Sequence, residues 1–227
     1  MIQTALLAPL NVDRAPRYRE AAYTAIKSAI LDGRFAPNQS LVEEQIAAML
    51  QISRTPVREA LAILEHEGLI APRQGRGLYV ATLTRDEFVA MFVANETVEP
   101  YLVRRAALQA SLEQLEALNQ AIRRAQEAVT AIDMVGFLRA SRDFHRLLGE
   151  ASGNAPLTRF VVQNEERTDI YLIGSGQRIE PANMEASIHE HGAILDALIQ
   201  RDPESAARLA IYHAQSLRQR FAELFRS

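Results

Sequence analysis

In the first eighty residues, apolar side chains recur three and four positions apart in three short stretches, and then a brief extended pattern takes over. Ala22, Ile26 and Ile30 share one face of a predicted amphipathic helix over Arg19–Leu31, and Asp32-Gly33 stops it. After the loop FAPNQS, Val42, Ile46, Met49 and Leu50 mark a second short helix within Leu41–Leu50. Gln51-Ile52 makes a turn, and Ser53 is placed to cap a third helix reaching about Glu67. Pro56 falls in its first turn, where a missing N–H does little harm. Leu69–Arg73 and Leu78–Ala81 read as two short strands joined through Gln74–Gly77. From about Thr84 the pattern is helical, in segments 85–109, 111–130, 133–151, 155–173, 184–200 and 203–225. Pro100 is expected to kink the first of these, Asp133 to cap the third and Asp202-Pro203 to open the last. The fold class expected is mainly α: a small mixed unit over 18–81, preceded by a tail (1–17) and followed by an all-helical bundle of about six helices (82–227).

Two helices linked by a short turn, the second opening at a capped serine, match the helix-turn-helix plan, and the two strands after them supply a wing. At about 100° per residue, Val57, Ala60, Leu61 and Leu64 of the third helix form one buried stripe. Arg54, Thr55 and Arg58 then fall about a third of a turn away, beside Ser53. An arginine there can donate two hydrogen bonds to a guanine edge in a major groove, while hydroxyl and backbone N–H groups hold phosphates. Arg73, Gly75 and Arg76 flank the wing tip, in reach of phosphate or the minor groove. The alternative for Arg54 and Arg58 is an ordinary solvated pairing with Glu59 or the Glu44 region.

Charge complicates this picture before it supports it. The whole chain of 227 residues carries a formal charge of −3, which on average argues against nucleic acid. Up to Ala81, however, 9 basic residues face 8 acidic ones, whereas the remainder has 16 against 20. The acidity therefore belongs to the helical part. The complete absence of cysteine removes thiolate metal sites, disulfides and thiol nucleophiles. No apolar run is long enough to cross a membrane, and the first residues lack the basic and cleavage features of a secretion signal, so a cytoplasmic protein is expected.

The stretch Tyr23–Val80, with ISRTPVREAL followed by LEHEGLI and a wing glycine, resembles the winged helix-turn-helix domain of GntR-family bacterial transcription regulators. The resemblance implies that Arg54, Thr55 and Arg58 meet double-stranded operator DNA, with wing residues near Gly75 assisting. PNQSL departs from the family, which usually has a glycine after that proline.

Three histidines stand out in the helical part. His145 lies in the series Leu138, Ser141, His145, Leu148; His191 in Ile188, His191, Leu195, Leu198; and His213 in Leu209, His213, Leu217. Each sits on an inward apolar stripe of a different helix. They are either hydrogen-bonded core residues or rings converging on a divalent metal such as Zn, Ni or Mn, since imidazole suits these ions. His66 and His189 read as structural or solvated.

FHRLLGEASGN, EHGAILDALIQRDPESAA and YHAQ resemble the FCD ligand-binding domain found in FadR-like members of the same family. That implies a small-molecule effector, an organic acid in the simplest case, and a homodimer; in metal-binding members three histidines match His145, His191 and His213. An acidic or amide ligand one helix turn before the first histidine is replaced here by Ser141, a poor ligand, and Asp143 points elsewhere. Asn95 stands where an arginine is frequent, which weakens the case for a simple carboxylate effector. Arg139, Asn164 and Arg167, with Ser141 and Asn95, are the candidate effector contacts; Gln163 and Tyr171 are further ones. The function expected is a ligand-responsive regulator, a repressor by default, with a metal-free pocket as the alternative. A metalloenzyme is the reading from another class, disfavoured because spacing puts no general base beside the histidines.

Overall fold

A computed structural model describes residues 15–73, 77–176 and 179–223. The order of elements is α1 (Ala15–Leu31), β1 (Ser40–Leu41), α2 (Glu43–Leu50), α3 (Arg54–His66), β2 (Ile70–Arg73), β3 (Gly77–Val80), α4 (Arg85–Gln109), α5 (Leu112–Thr130), α6 (Met134–Ala151), α7 (Ala155–Gly174), α8 (Pro181–Ile199) and α9 (Pro203–Glu223). This is a winged helix-turn-helix followed by six bundle helices.

The N-terminal part is held by one apolar cluster. Ala22, Ile26 and Ile30 of α1 pack on Val57, Ala60, Leu61 and Leu64 of α3, all essentially removed from water, as the two helical spacings require. The antiparallel sheet has the order β1-β3-β2, with Ile70 opposite Val80 and Ser40 opposite Tyr79. β1 is a departure from the sequence reading, which placed Leu41 in the second helix. Leu41 is buried in a two-residue strand and α2 starts at Glu43, because pairing with β3 satisfies this segment's backbone groups. Ser53 does occupy the position before α3, in extended conformation, yet its hydroxyl makes no capping bond.

In the bundle, starts are marked by side chains that satisfy free N–H groups. Thr84 and Glu87 form a reciprocal capping box on α4, and Ser111 and Gln114 another on α5. Asp133 accepts from the Gly136 N–H at 2.9 Å, and Asp202 from that of Ser205 at 2.9 Å. α4 is continuous through Pro100. α8 begins at Pro181, three residues before the predicted start. Phe144, Leu148, Ile194 and Leu198 sit at the centre of the core, fully buried among Val103, Leu118 and the small residues Ala206 and Ala210 of α9. Alanines on α9 let it lie close against α4 and α8, which brings side chains of those helices together at mid-bundle.

The two parts touch closely. A Cβ added to Gly33, whose φ is +71°, would meet Ile173 at 2.9 Å, and one on Gly174 would meet Pro37 at 2.3 Å, so backbone rather than side chain forms the contact at both places. Lys27 of α1 reaches Glu67 at 3.0 Å and Glu166 of α7 at 2.9 Å, and Tyr23 donates its hydroxyl hydrogen to Glu67 at 2.7 Å. Arg139 of α6 donates to Asp32 at 2.5 Å.

Candidate functional site

The exposed face of α3 is built as its wheel requires. Val57, Ala60, Leu61 and Leu64 face inward, and Ser53, Arg54, Thr55 and Arg58 remain in solvent. Among the described residues Arg54 approaches Glu43, at 3.5 Å, and its side chain is 63% exposed, so its guanidinium remains available to a ligand. A surface ion pair of this length contributes under about 1 kcal/mol. Arg73 lies at the end of β2, bonded to Asn38 and stacked over the Tyr79 ring at 4.6 Å. Gly75 and Arg76 lie outside the described residues.

The three bundle histidines converge. His145 of α6, His191 of α8 and His213 of α9 are all buried, and one ring nitrogen of each lies within 4.8 Å of the others'. The Nε2 atoms of His191 and His213 are 3.2 Å apart, and the Nε2 of His145 is buried with no hydrogen-bond partner. The opposite nitrogens are committed. His145 Nδ1 lies 3.0 Å from Glu99 and His213 Nδ1 lies 2.6 Å from Glu190. Phe144 stacks on the His191 ring, centroids 4.2 Å apart. A carboxylate on Nδ1 holds that nitrogen protonated and turns Nε2 inward, which is how metal-binding imidazoles are oriented; a cation bound there would take the place of any proton on Nε2. The arrangement fits a divalent cation on chemical grounds: converging nitrogen donors, two of them backed by carboxylates, and one donor with nothing else to bind.

Electrostatics separate the three rings. Burial alone would depress His145, but Glu99 and Glu165 overcome it and raise its pKa to about 9. Burial, helped by the neighbouring rings, holds His191 far below its ordinary value, and His213 is lowered by burial despite its bond to Glu190. Burial works against ionised Glu190 too, yet the bonds from His213 and Arg220 win and hold it at about 2. Arg220 donates to both Glu190 oxygens at 2.8 and 2.9 Å and to Ser187 at 2.9 Å.

Ser141, one turn before His145, opens onto a small cavity of about 30 Å³, room for a water or two. Phe92, Phe137 and Phe221 form apolar walls, and Glu165, Asp169, Asn183 and Arg220 bring the polar groups. Asn95 is buried beside it, donating to Glu165 at 2.7 Å and accepting from Asn164 at 3.0 Å. Of the effector candidates Ser141 lines the cavity, while Asn95, Asn164, Arg139, Arg167, Gln163 and Tyr171 do not. Arg139 is bound to Asp32, and Arg167 lies against Gly68, where an added Cβ would be 3.4 Å from its Nε. Each is two residues from a cavity residue, Ser141 or Glu165, and two helical steps of 100° put it on the far side. His66 and His189 are exposed.

Spacing missed the acids. Glu99 and Glu190 both touch a histidine, although spacing put no general base beside them; Glu190 is adjacent in sequence to His191, but its partner is His213. Glu165, next to the named Asn164, also had no signal of its own.

Two family models match the chain: the gntR family of bacterial regulatory proteins over residues 18–80 and the FCD domain over 90–216. Among similar proteins, the transcriptional repressor NanR of Cronobacter sakazakii is 30% identical over 81% of this chain and 77% of its own length. The Uxu operon transcriptional regulator of Escherichia coli is 28% identical, covering 87% and 84%. Among solved structures, a GntR transcriptional regulator from Rhodococcus superposes with a TM-score of 0.79 at 23% identity, covering 93% of this chain and all of that one. Escherichia coli McbR/YncC gives 0.78 at 21% identity, covering 92% and 97%. The chain belongs to the GntR family of bacterial transcription regulators and carries a C-terminal FCD effector-binding domain.

Proposed function

We propose that this protein is a ligand-responsive repressor that binds a near-palindromic operator as a homodimer, with residues 18–81 reading DNA and 82–227 binding effector and dimerising. The observation that carries the reading is the exposed, barely engaged Arg54–Thr55–Arg58 face on a helix whose other side is fully buried. Few base contacts come from one such module, and twofold symmetry doubles them. Exposed Leu108 and Leu112, 69% and 82% accessible, give the bundle an apolar surface for a partner.

His145, His191 and His213 would hold a divalent cation, Zn, Ni or Mn, and a small effector would need the cavity at Ser141 to widen beyond the water or two it now holds. A bound cation supplies a Lewis-acidic point to which an oxygen of an effector can bind. The residues around it fix tautomers and exclude water. α6 carries Ser141 and His145 on one side and Arg139, bound to Asp32, on the other; α7 carries Glu165 on one side and Glu166, bound to Lys27, on the other. A ligand that shifts either helix therefore changes its grip on α1. Coupling of this kind is typically about 1–3 kcal/mol, enough for a several-fold to hundredfold change in operator affinity.

The test is operator affinity by fluorescence anisotropy on a duplex chosen by in vitro selection. Arg54→Ala and Arg58→Ala are expected to lose binding while keeping wild-type circular dichroism. Unchanged affinity in both overturns the reading.

A further inference from the structure

The loop PNQSL, where glycine is usual after the proline, places Asn38 at a φ of +66°. Glycine enters that left-handed region freely, and asparagine is among the few other residues that do so readily. Backbone bonds hold the loop in place: the Asn38 N–H donates to the Val80 carbonyl at 3.1 Å, and the Val80 N–H to the Gln39 carbonyl at 3.0 Å. What asparagine adds to glycine is a side-chain amide, whose oxygen accepts a hydrogen bond from the guanidinium of Arg73. Arg73 and Tyr79 share the outer face of the wing sheet, because Ala71 stands opposite Tyr79 and Arg73 is two residues further along β2. The guanidinium crosses β3, stacks over the Tyr79 ring at 4.6 Å and ends at Asn38.

Arg73 and Asn38 are both exposed. Among the described residues no carboxylate pairs with Arg73, unlike Arg54, Arg104, Arg139 or Arg142. Its partners are a neutral amide and a ring, so its orientation is set while its positive charge is left uncompensated. Most of the five N–H donors of a guanidinium so held remain for an outside acceptor. We infer that Asn38 is a positioning residue for DNA binding, holding Arg73 flat on the wing as a contact to a backbone phosphate. The inference rests on the operator-binding reading. A guanidinium with one face on Tyr79 and one N–H on Asn38 lies along the sheet and does not project into a groove, which favours a phosphate over a base edge. A preset orientation also spares the entropy that a free arginine loses on meeting its phosphate.

The experiment measures affinity by fluorescence anisotropy across a series of salt concentrations, using the full chain and two probes: the selected operator duplex and a duplex of random sequence. Arg73→Ala is expected to weaken both by the same factor, since a phosphate contact carries no sequence information. It should also make the slope of log affinity against log salt shallower by about 0.9 for each phosphate lost. Asn38→Gly keeps the left-handed backbone and removes only the amide. It is expected to weaken both duplexes about 2–10-fold with the slope kept, and to change nothing further once Arg73 is alanine. Asn38→Asp keeps the bond to Arg73 but sets a negative charge beside the phosphate, so affinity should fall further than in Asn38→Gly while the melting temperature holds. A purely structural pair would instead lower the melting temperature and leave affinity at the wild-type value, and that result overturns the inference. So do losses in Asn38→Gly and Arg73→Ala that add, or a loss in Arg73→Ala confined to the selected operator. A wild type that binds neither duplex removes the operator reading itself, and the inference with it.

Discussion

The proposed DNA-reading face and the histidine cluster are built in opposite ways. Arg54, Thr55 and Arg58 come from a single turn and a half of α3, stay in water, and need only that the opposite stripe be buried. His145, His191 and His213 come from three helices, are withdrawn from water, and depend on acids from a fourth helix and from α8. An exposed arginine can be changed without disturbing the fold, whereas each imidazole is embedded in packing and hydrogen bonding. The first site is a surface printed on one element, and the second exists only after the bundle has closed.

The sharpest break in that comparison is the double variant Arg54→Ala, Arg58→Ala. Base-reading contacts are worth about 1–3 kcal/mol each, so operator affinity measured by anisotropy should fall roughly 100-fold or more. The melting temperature should stay within a degree or two, because both side chains are exposed. A large loss of stability would show that this face is structural.

Next in size is Phe144→Ala. It removes a fully buried ring stacked on His191, and a cost of about 3–5 kcal/mol is expected in urea unfolding. Metal affinity should fall with it, since the ring holds the imidazole. An unchanged unfolding midpoint would contradict the packing described.

A smaller effect is expected from Glu99→Gln and Glu190→Gln, which alter only the partners of the imidazole Nδ1 atoms. Zn²⁺ affinity by competition titration should drop about 10–100-fold in each, with operator affinity unchanged in the absence of metal. Equal Zn²⁺ affinity in both variants and the wild type would leave these acids without the orienting role.

The smallest is Lys27→Met, at the contact between the two sites. It leaves Glu166 buried without its cation, so the operator affinity ratio with and without bound Zn²⁺ should shrink several-fold. An unaltered ratio would show that coupling does not run through α1 and α7.

The two sites also differ in how far the sequence disclosed them. Helix periodicity is local, so the stripes on α1 and α3 and the six bundle helices were legible from spacing, and so was the inward direction of the three histidines. β1 was not, because two residues carry no period and Leu41 fits a helical pattern equally well; only its pairing with β3 decides. Glu99 lies 46 positions from His145, and nothing in the spacing links α4 to α6. Arg139 and Arg167 read as polar residues near the pocket, yet the helix turns them toward the DNA-reading part. The burial that one helix's own period sets was thus legible, and contacts that depend on a second element were not.

If a buried metal site governs the exposed face of α3, the chain must retain metal through its histidines, and metal stoichiometry shows whether it does. Inductively coupled plasma mass spectrometry on tag-free chain, after equilibration with Zn²⁺ and desalting, should find about one Zn per chain in the wild type and in Arg54→Ala. In His145→Ala combined with His213→Ala it should find essentially none. No retained Zn in the wild type, or the same amount in the double histidine variant, would contradict the account.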